Sequence, residues 1–143
     1  MPMIDLTMTK GALKQEQLDR LAETLTTAIL YWVSDVPADA KKVAWIFVHE
    51  IDVPRLYVAG RHPDKPRYRL ELRVLDGGLD TGRCAGIFKD VTQAILDAEG
   101  VPNDIENASR VWCIFQEIKV GEWGMGGAVY FRGGYRSGLK SSA

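Results

Sequence analysis

Apolar and polar residues alternate at the start of the chain, where Pro2, Ile4, Leu6 and Met8 occupy every second position. A period of two predicts a half-buried strand. Apolar residues then recur every three or four positions over 18–32, which predicts an amphipathic helix. Residues 43–51 are apolar on both faces, as is typical of a central strand between neighbours. Together these patterns predict a β-α-β unit.

The same series then occurs a second time. Residues 61–67 form a polar, proline-containing linker, and alternation resumes at Tyr68. A shift of 66 or 67 positions superimposes the two helical stripes and places Trp45 on Trp112 and Gly60 on Gly127. We therefore interpret the chain as one domain of 143 residues that contains repeat one (2–60), the linker (61–67), repeat two (68–131) and a basic, glycine-rich tail (132–143).

The repeat predicts the fold class. Each β-α-β unit requires a right-handed crossover between parallel strands. Two units side by side give an α/β (α+β) fold with a four-stranded mixed sheet and two helices on one face. The opposite face then lacks a cover although two strands are apolar on both sides, which predicts a closed homo-oligomer.

Composition excludes several classes of partner. A net charge of −1 gives no general attraction to nucleic acid or to an anionic membrane. No apolar run approaches the ~20 residues of a membrane span, and the charged N-terminal region does not resemble a signal peptide. Cys84 and Cys113 are expected to be buried reduced thiols, which favours a cytoplasmic location. No histidine and cysteine spacing indicates a metal site, and we expect no cofactor.

Three features together resemble the tautomerase superfamily: the Met1-Pro2 start, the tandem repeat, and Glu117 followed by the glycine-rich stretch 122–127. That superfamily includes 4-oxalocrotonate tautomerase, malonate semialdehyde decarboxylase and cis-3-chloroacrylic acid dehalogenase. The resemblance covers residues 2–131. It implies a homotrimer of two-unit chains, a site built on the N-terminal proline, a small-molecule carboxylate substrate and no cofactor.

Pro2 is the first candidate catalytic residue. Removal of Met1 would make its nitrogen a secondary amine, and an α-amino group titrates near ~7.7–8.0 in water. Burial disfavours the charged form, and an amine tuned near the working pH can take a proton from carbon and return it elsewhere. Pro2 is therefore expected to act as general base in keto–enol isomerisation of a small α-keto or enol acid. The competing interpretation is that Pro2 only begins a strand.

The substrate carboxylate needs a cation, and the sequence departs from the family at those positions. Ala12 and Gly78 stand where an arginine follows the strand-to-helix glycine, and tryptophans stand at a second arginine position. Arg73 and Arg83 are the replacement candidates, because arginine binds carboxylates through two parallel hydrogen bonds. Each can equally be a solvated surface arginine.

Three further residues complete the predicted site. Glu117 resembles the glutamate by which the cis dehalogenase activates water, and Trp112 and Trp123 can line an apolar pocket. A rim carboxylate and packing between subunits are the alternatives for these residues. Two alternative functions stay open: a hydratase or dehalogenase in which protonated Pro2 acts as acid, and a non-enzymatic trimeric binding protein.

Overall fold

The computed structural model describes residues 2–33, 40–131 and 134–135. The predicted helix stop at 34–37 and all but two residues of the tail lie outside these ranges. Within them, no helix has the length and apolar character needed to cross a membrane.

Each half of the chain contains one long helix between two strands. The first half comprises β1 (Met3–Thr9), α1 (Gln15–Trp32) and β2 (Trp45–Ile51), with short 3₁₀ turns at Ala40–Val43 and Val53–Arg55. The second half comprises β3 (Tyr68–Leu75), α2 (Thr81–Glu99), α3 (Ile105–Ala108), β4 (Val111–Ile118), β5 (Gly124–Met125), β6 (Ala128–Phe131) and β7 (Gly134–Tyr135).

The main sheet has the strand order β2-β1-β3-β4. Within each half the two strands are parallel, and the halves meet where β1 and β3 pair antiparallel, with Met3 opposite Arg73 and Met8 opposite Tyr68. Both long helices pack on the same side of this sheet. The predicted four-stranded mixed sheet with two helices on one face is confirmed.

One apolar core fills the space between the sheet and the helices. The even-numbered side chains of β1 and β3 point into it, as the alternating pattern predicts, and the helical stripes face them. Buried core residues include Ile4, Leu6, Met8, Leu21, Leu25, Ile29, Leu70, Leu72, Val74, Ile87, Val91 and Ile95.

The two helices approach closely at Gly86. The indole of Trp32, at the end of α1, lies over this glycine, and its Nε1 donates a hydrogen bond to Asp90 Oδ2 at 2.7 Å. A side chain at position 86 would occupy the space of the ring. Glycine is therefore the residue that lets α1 and α2 pack at this distance.

The position of the two most apolar strands differs from the prediction. β2 and β4 are the edges of the sheet, and the alternating strands β1 and β3 are central. The open sheet face carries large exposed side chains on both edges, among them Trp45 (60% exposed) and Trp112 (67% exposed). A strand that is apolar on both faces has a second apolar side that must be covered. In this fold that uncovered side belongs to the open face of the sheet.

Both halves end in an equivalent tight turn. Val58 pairs with Arg61 around Ala59 and Gly60, and Met125 pairs with Ala128 around two glycines. All four turn residues have positive φ, which is the conformation of a type I′ hairpin. The repeat predicted from the sequence therefore extends to the hairpins.

Candidate active site

Pro2 lies at one end of the main sheet, directly before β1, and is buried. Because Met3 pairs with Arg73, the antiparallel register places Pro2 beside Val74. Val74 in turn pairs with Glu117 on β4. Pro2, Val74 and Glu117 therefore form one row across three strands, with about 10 Å between the outer Cα atoms at the usual strand spacing.

Glu117 also lies close to the beginning of α2. The pKa of the Cys84 thiol is raised by burial first and then by the carboxylates of Glu117 and Asp80. Cys84 is in the first turn of α2, which starts at the same end of the sheet as Pro2 because β3 leads into it. The structure thus brings the two predicted catalytic residues to a common end of the fold.

Arg83 occupies the first turn of α2, next to this row. Asp80 caps the helix by accepting a hydrogen bond from the backbone N–H of Arg83 at 2.8 Å. The guanidinium Nε lies 3.9 Å from Asp80 Oδ2 and the side chain is 42% exposed. A long, exposed contact of this kind holds an arginine weakly, so Asp80 does not fix the position of the Arg83 guanidinium.

Arg73 lies near the same end but on the open face of the sheet. Its guanidinium contacts Asp5 Oδ2 at 2.6 Å, Glu71 at 3.4 Å and Gln116 at 3.1 Å. His49 Nε2 contacts the other oxygen of Asp5 at 2.7 Å. Pro2 lies in the row that faces the helices, so these two predicted site residues are on opposite faces within one chain.

The two predicted tryptophans are not neighbours. Trp112 is the second residue of β4, five residues before Glu117 and roughly 17 Å from it along the strand. Trp123 follows β4 by five residues, and its ring packs against Tyr130 at 5.7 Å. Trp45, which pairs with Met3, is the tryptophan on the open face at the Pro2 end. This placement follows from the antiparallel pairing of the halves, which puts the two repeat copies, Trp45 and Trp112, at opposite ends of the sheet.

The cysteines give no metal site. Both are free and partly buried, and burial raises the pKa of Cys113 to about 11. Among the residues that the structure describes, no three histidine, cysteine or carboxylate side chains form a group that could hold a metal ion.

Comparison with known proteins identifies the fold. No family model matches the sequence, and no curated protein sequence matches it. Three solved structures are similar over 87–89% of this chain. They are a fused 4-OT asymmetric trimer (15% identity, TM-score 0.72, 94% of that chain), Pt0534 inactivated by 2-oxo-3-pentynoate (17%, 0.73, 92%) and N1 of the cis-3-chloroacrylic acid dehalogenase family (17%, 0.70, 82%). The fold of this chain is therefore that of these fused 4-OT and cis-3-chloroacrylic acid dehalogenase-family structures.

Proposed function

We propose that this protein is a tautomerase-like enzyme that acts as a cytoplasmic homotrimer on a small α-keto or enol carboxylic acid. In this proposal the amine of Pro2, set free when Met1 is removed, is the general base. The observation that carries the proposal is the row Pro2–Val74–Glu117 beside the first turn of α2, in the fold of the fused tautomerase-superfamily structures.

The burial of Pro2 supports a basic role. Removal from water disfavours a charged amine and lowers its pKa below the ~7.7–8.0 of an α-amino group. A neutral amine can then abstract a proton from the substrate hydroxyl or carbon and return it to the other atom, which interconverts enol and ketone without any other co-reactant.

Arg83 is proposed to bind the substrate carboxylate. It lies in the first turn of α2, where the helix dipole also favours an anion, and its contact with Asp80 is weak. Trp123 is proposed to shield the substrate from water. We propose that Arg73 and Trp112 contribute only to the site of a neighbouring subunit. Within its own chain, Arg73 lies on the opposite face of the sheet from Pro2, and Trp112 lies at the opposite end.

The homotrimer rests on the open sheet face. Trp45, Phe47, Trp112 and Ile114 all lie exposed on the open face of the two edge strands, and large apolar side chains left exposed in this way mark an interaction site. One similar solved structure is a trimer of fused chains. Association of three chains through this face would cover these side chains and bring new groups to each Pro2.

A second candidate function is hydration or dehalogenation. It is favoured by Glu117, which shares the row of Pro2 and in this proposal activates a water. A carboxylate near the amine stabilises its protonated form, so Pro2 would then act as acid. The pKa of the Pro2 amine separates the two: a value well below ~8 supports a base, and a value near or above ~9 supports an acid.

The test of the main proposal is ketonisation of phenylpyruvate enol by the purified protein. Intact mass first establishes whether Met1 is absent. The Pro2→Ala variant retains a primary amine but loses the rigid ring, and we expect a rate at least ~10-fold lower, which is part of the 10²–10⁴-fold that general acid–base catalysis contributes. Protein that retains Met1 is expected to be inactive, because an acylated nitrogen has no basic lone pair.

Pro102→Ala is the matched control, since Pro102 is exposed in the loop after α2. Equal rates for wild type, Pro2→Ala and Pro102→Ala would exclude Pro2 as the base. If all three proteins are inert toward this enol and toward a halogenated acrylic acid, the non-enzymatic binding protein becomes the better interpretation.

A further inference from the structure

A cavity of about 680 Å³ opens at the end of the sheet opposite Pro2. It lies where β1 and β2 end and where β3 and β4 begin, with the loop after β2 as its outer wall. None of the groups proposed above for the reaction lies in it except Trp112. This volume is sufficient for a small organic molecule.

The repeat makes this cavity the counterpart of the Pro2 end. β1 and β3 are antiparallel, so the start of one half lies beside the strand ends of the other half at each end of the sheet. The residue that corresponds to Pro2 is Tyr68, which lines the cavity. Tyr68 is within the chain and has no free amine, so the counterpart end lacks the base.

The wall of the cavity is rich in positive charge. Arg55, Arg67, Arg69 and Arg110 line it, and the described lining residues include no aspartate or glutamate. Arg110 is 4% exposed and is neutralised by Glu99 at 3.0 Å, and Arg69 lies 3.5 Å from Glu71. The cavity therefore retains the charge of two arginines.

Arg55 is the arginine best placed for a ligand. A 3₁₀ turn that begins at Val53 holds its backbone through a hydrogen bond from its N–H to the Asp52 carbonyl at 2.8 Å. Its guanidinium makes no hydrogen bond or ion pair with any other residue of the described ranges. Among the described residues, the guanidinium of Arg67 donates only to backbone carbonyls, those of Lys65 and Pro66.

Two aromatic side chains complete the wall. Tyr57 and Trp112 both line the cavity. Tyr57 is 63% exposed and lies in the loop after β2, whereas Trp112 lies on the sheet face that the proposed trimer covers. Aromatic faces beside a free guanidinium suit a ligand with a planar apolar body and an anionic end, because ring stacking and a two-point hydrogen bond to arginine then act together.

We propose that this cavity is a second, non-catalytic binding site for small aromatic carboxylates, in which Arg55 holds the carboxylate and the ring of Tyr57 packs against the aromatic body of the ligand. The site binds its ligand without chemistry because it lacks the amine of the Pro2 end. The inference does not depend on the proposed isomerase activity, since it rests on residues at the other end of the sheet.

The test is calorimetric titration of the assembled protein with phenylacetate, which has no keto group to isomerise. We expect Arg55→Ala to weaken binding about tenfold or more, as is typical when a charge-assisted hydrogen bond is lost. Arg20→Ala, a change at an exposed arginine on α1, is the matched control and is expected to leave affinity within about twofold. The uncharged 2-phenylethanol is expected to bind far more weakly than phenylacetate.

Two results would overturn the proposal. One is that Arg83→Ala weakens phenylacetate binding while Arg55→Ala does not, which would place the ligand at the Pro2 end. The other is that wild-type protein releases no heat of binding at millimolar phenylacetate. Arg55→Lys, which keeps the charge and loses the planar fork, is expected to bind with intermediate affinity and guards against a misfolded Arg55→Ala.

Discussion

Gly86→Ala tests whether the contact between α1 and α2 depends on the absence of a side chain. A Cβ at position 86 would lie 2.6 Å from both Cε2 and Cη2 of Trp32, well inside van der Waals contact. The indole must therefore move, and its hydrogen bond to Asp90 moves or breaks with it. We expect the variant to be less stable than the wild type.

The magnitude is a balance of three effects. Alanine is a better helix former than glycine by about 1 kcal/mol, while overpacking of a filled contact typically costs about 1–3 kcal/mol. Loss of a hydrogen bond to a charged group adds about 1.5–3 kcal/mol if the indole leaves Asp90 entirely. The net expectation is a free energy of unfolding lower by about 1–3 kcal/mol, or a Tm lower by roughly 3–10 °C for a domain of this size.

Gly82→Ala is the matched control on the same helix. Its Cβ would meet only Asp80 Oδ1, at 3.4 Å, so the helix propensity acts alone and the variant should be as stable as the wild type or more so. Thermal unfolding is compared at one protein concentration, because association also contributes to apparent stability. If Gly86→Ala proves as stable as Gly82→Ala, the close contact with Trp32 does not constrain the helix pair. Adding Trp32→Leu to Gly86→Ala should recover part of the loss, as expected for two residues in contact.

Two further predictions concern the open face and a buried thiol. Trp45→Glu places a charge on the open sheet face and is expected to shift the protein to monomers in sedimentation, whereas Ile105→Glu, at a residue 91% exposed, should not; a wild-type monomer would contradict the trimer itself. For Cys113, burial raises the pKa from 9.0 to about 11, so the unfolded chain releases this proton first as pH rises. The free energy of unfolding should therefore fall by about 2–3 kcal/mol between pH 9 and pH 11, and Cys113→Ala should lack this part of the decline.

The order of elements was predictable from the sequence because each one carries its own periodicity. The repeat then predicted the four-stranded sheet with both helices on one face, since two copies of one unit must bury the same faces in the same way. The edge position of β2 was not predictable from its composition. A strand apolar on both faces has the same pattern whether a neighbouring strand or another chain covers it.

The candidate site was predictable only in part. Pro2 and Glu117 were identified from the resemblance. That they share one row depends on how β1, β3 and β4 align with one another, which the pattern of any single strand does not reveal. Nothing in the sequence indicated that Arg55 could bind a ligand, because an arginine in a polar loop is ordinarily solvated. Its importance depends on the cavity, which forms only where four strand ends meet. Likewise, the sequence could not distinguish Trp45 from Trp112, because each is the other's copy in the repeat.

The edge position of β2 and β4 also affects how the protein aggregates and unfolds. A free monomer exposes two strand edges whose backbone N–H and C=O groups are unpaired, beside large apolar side chains. Such edges are templates for pairing with other chains. Dissociation of an assembly that covers them would therefore lead to aggregation as readily as to unfolding. Its resistance to heat would then be set by the rate at which subunits separate, and the apparent Tm would rise with the scan rate.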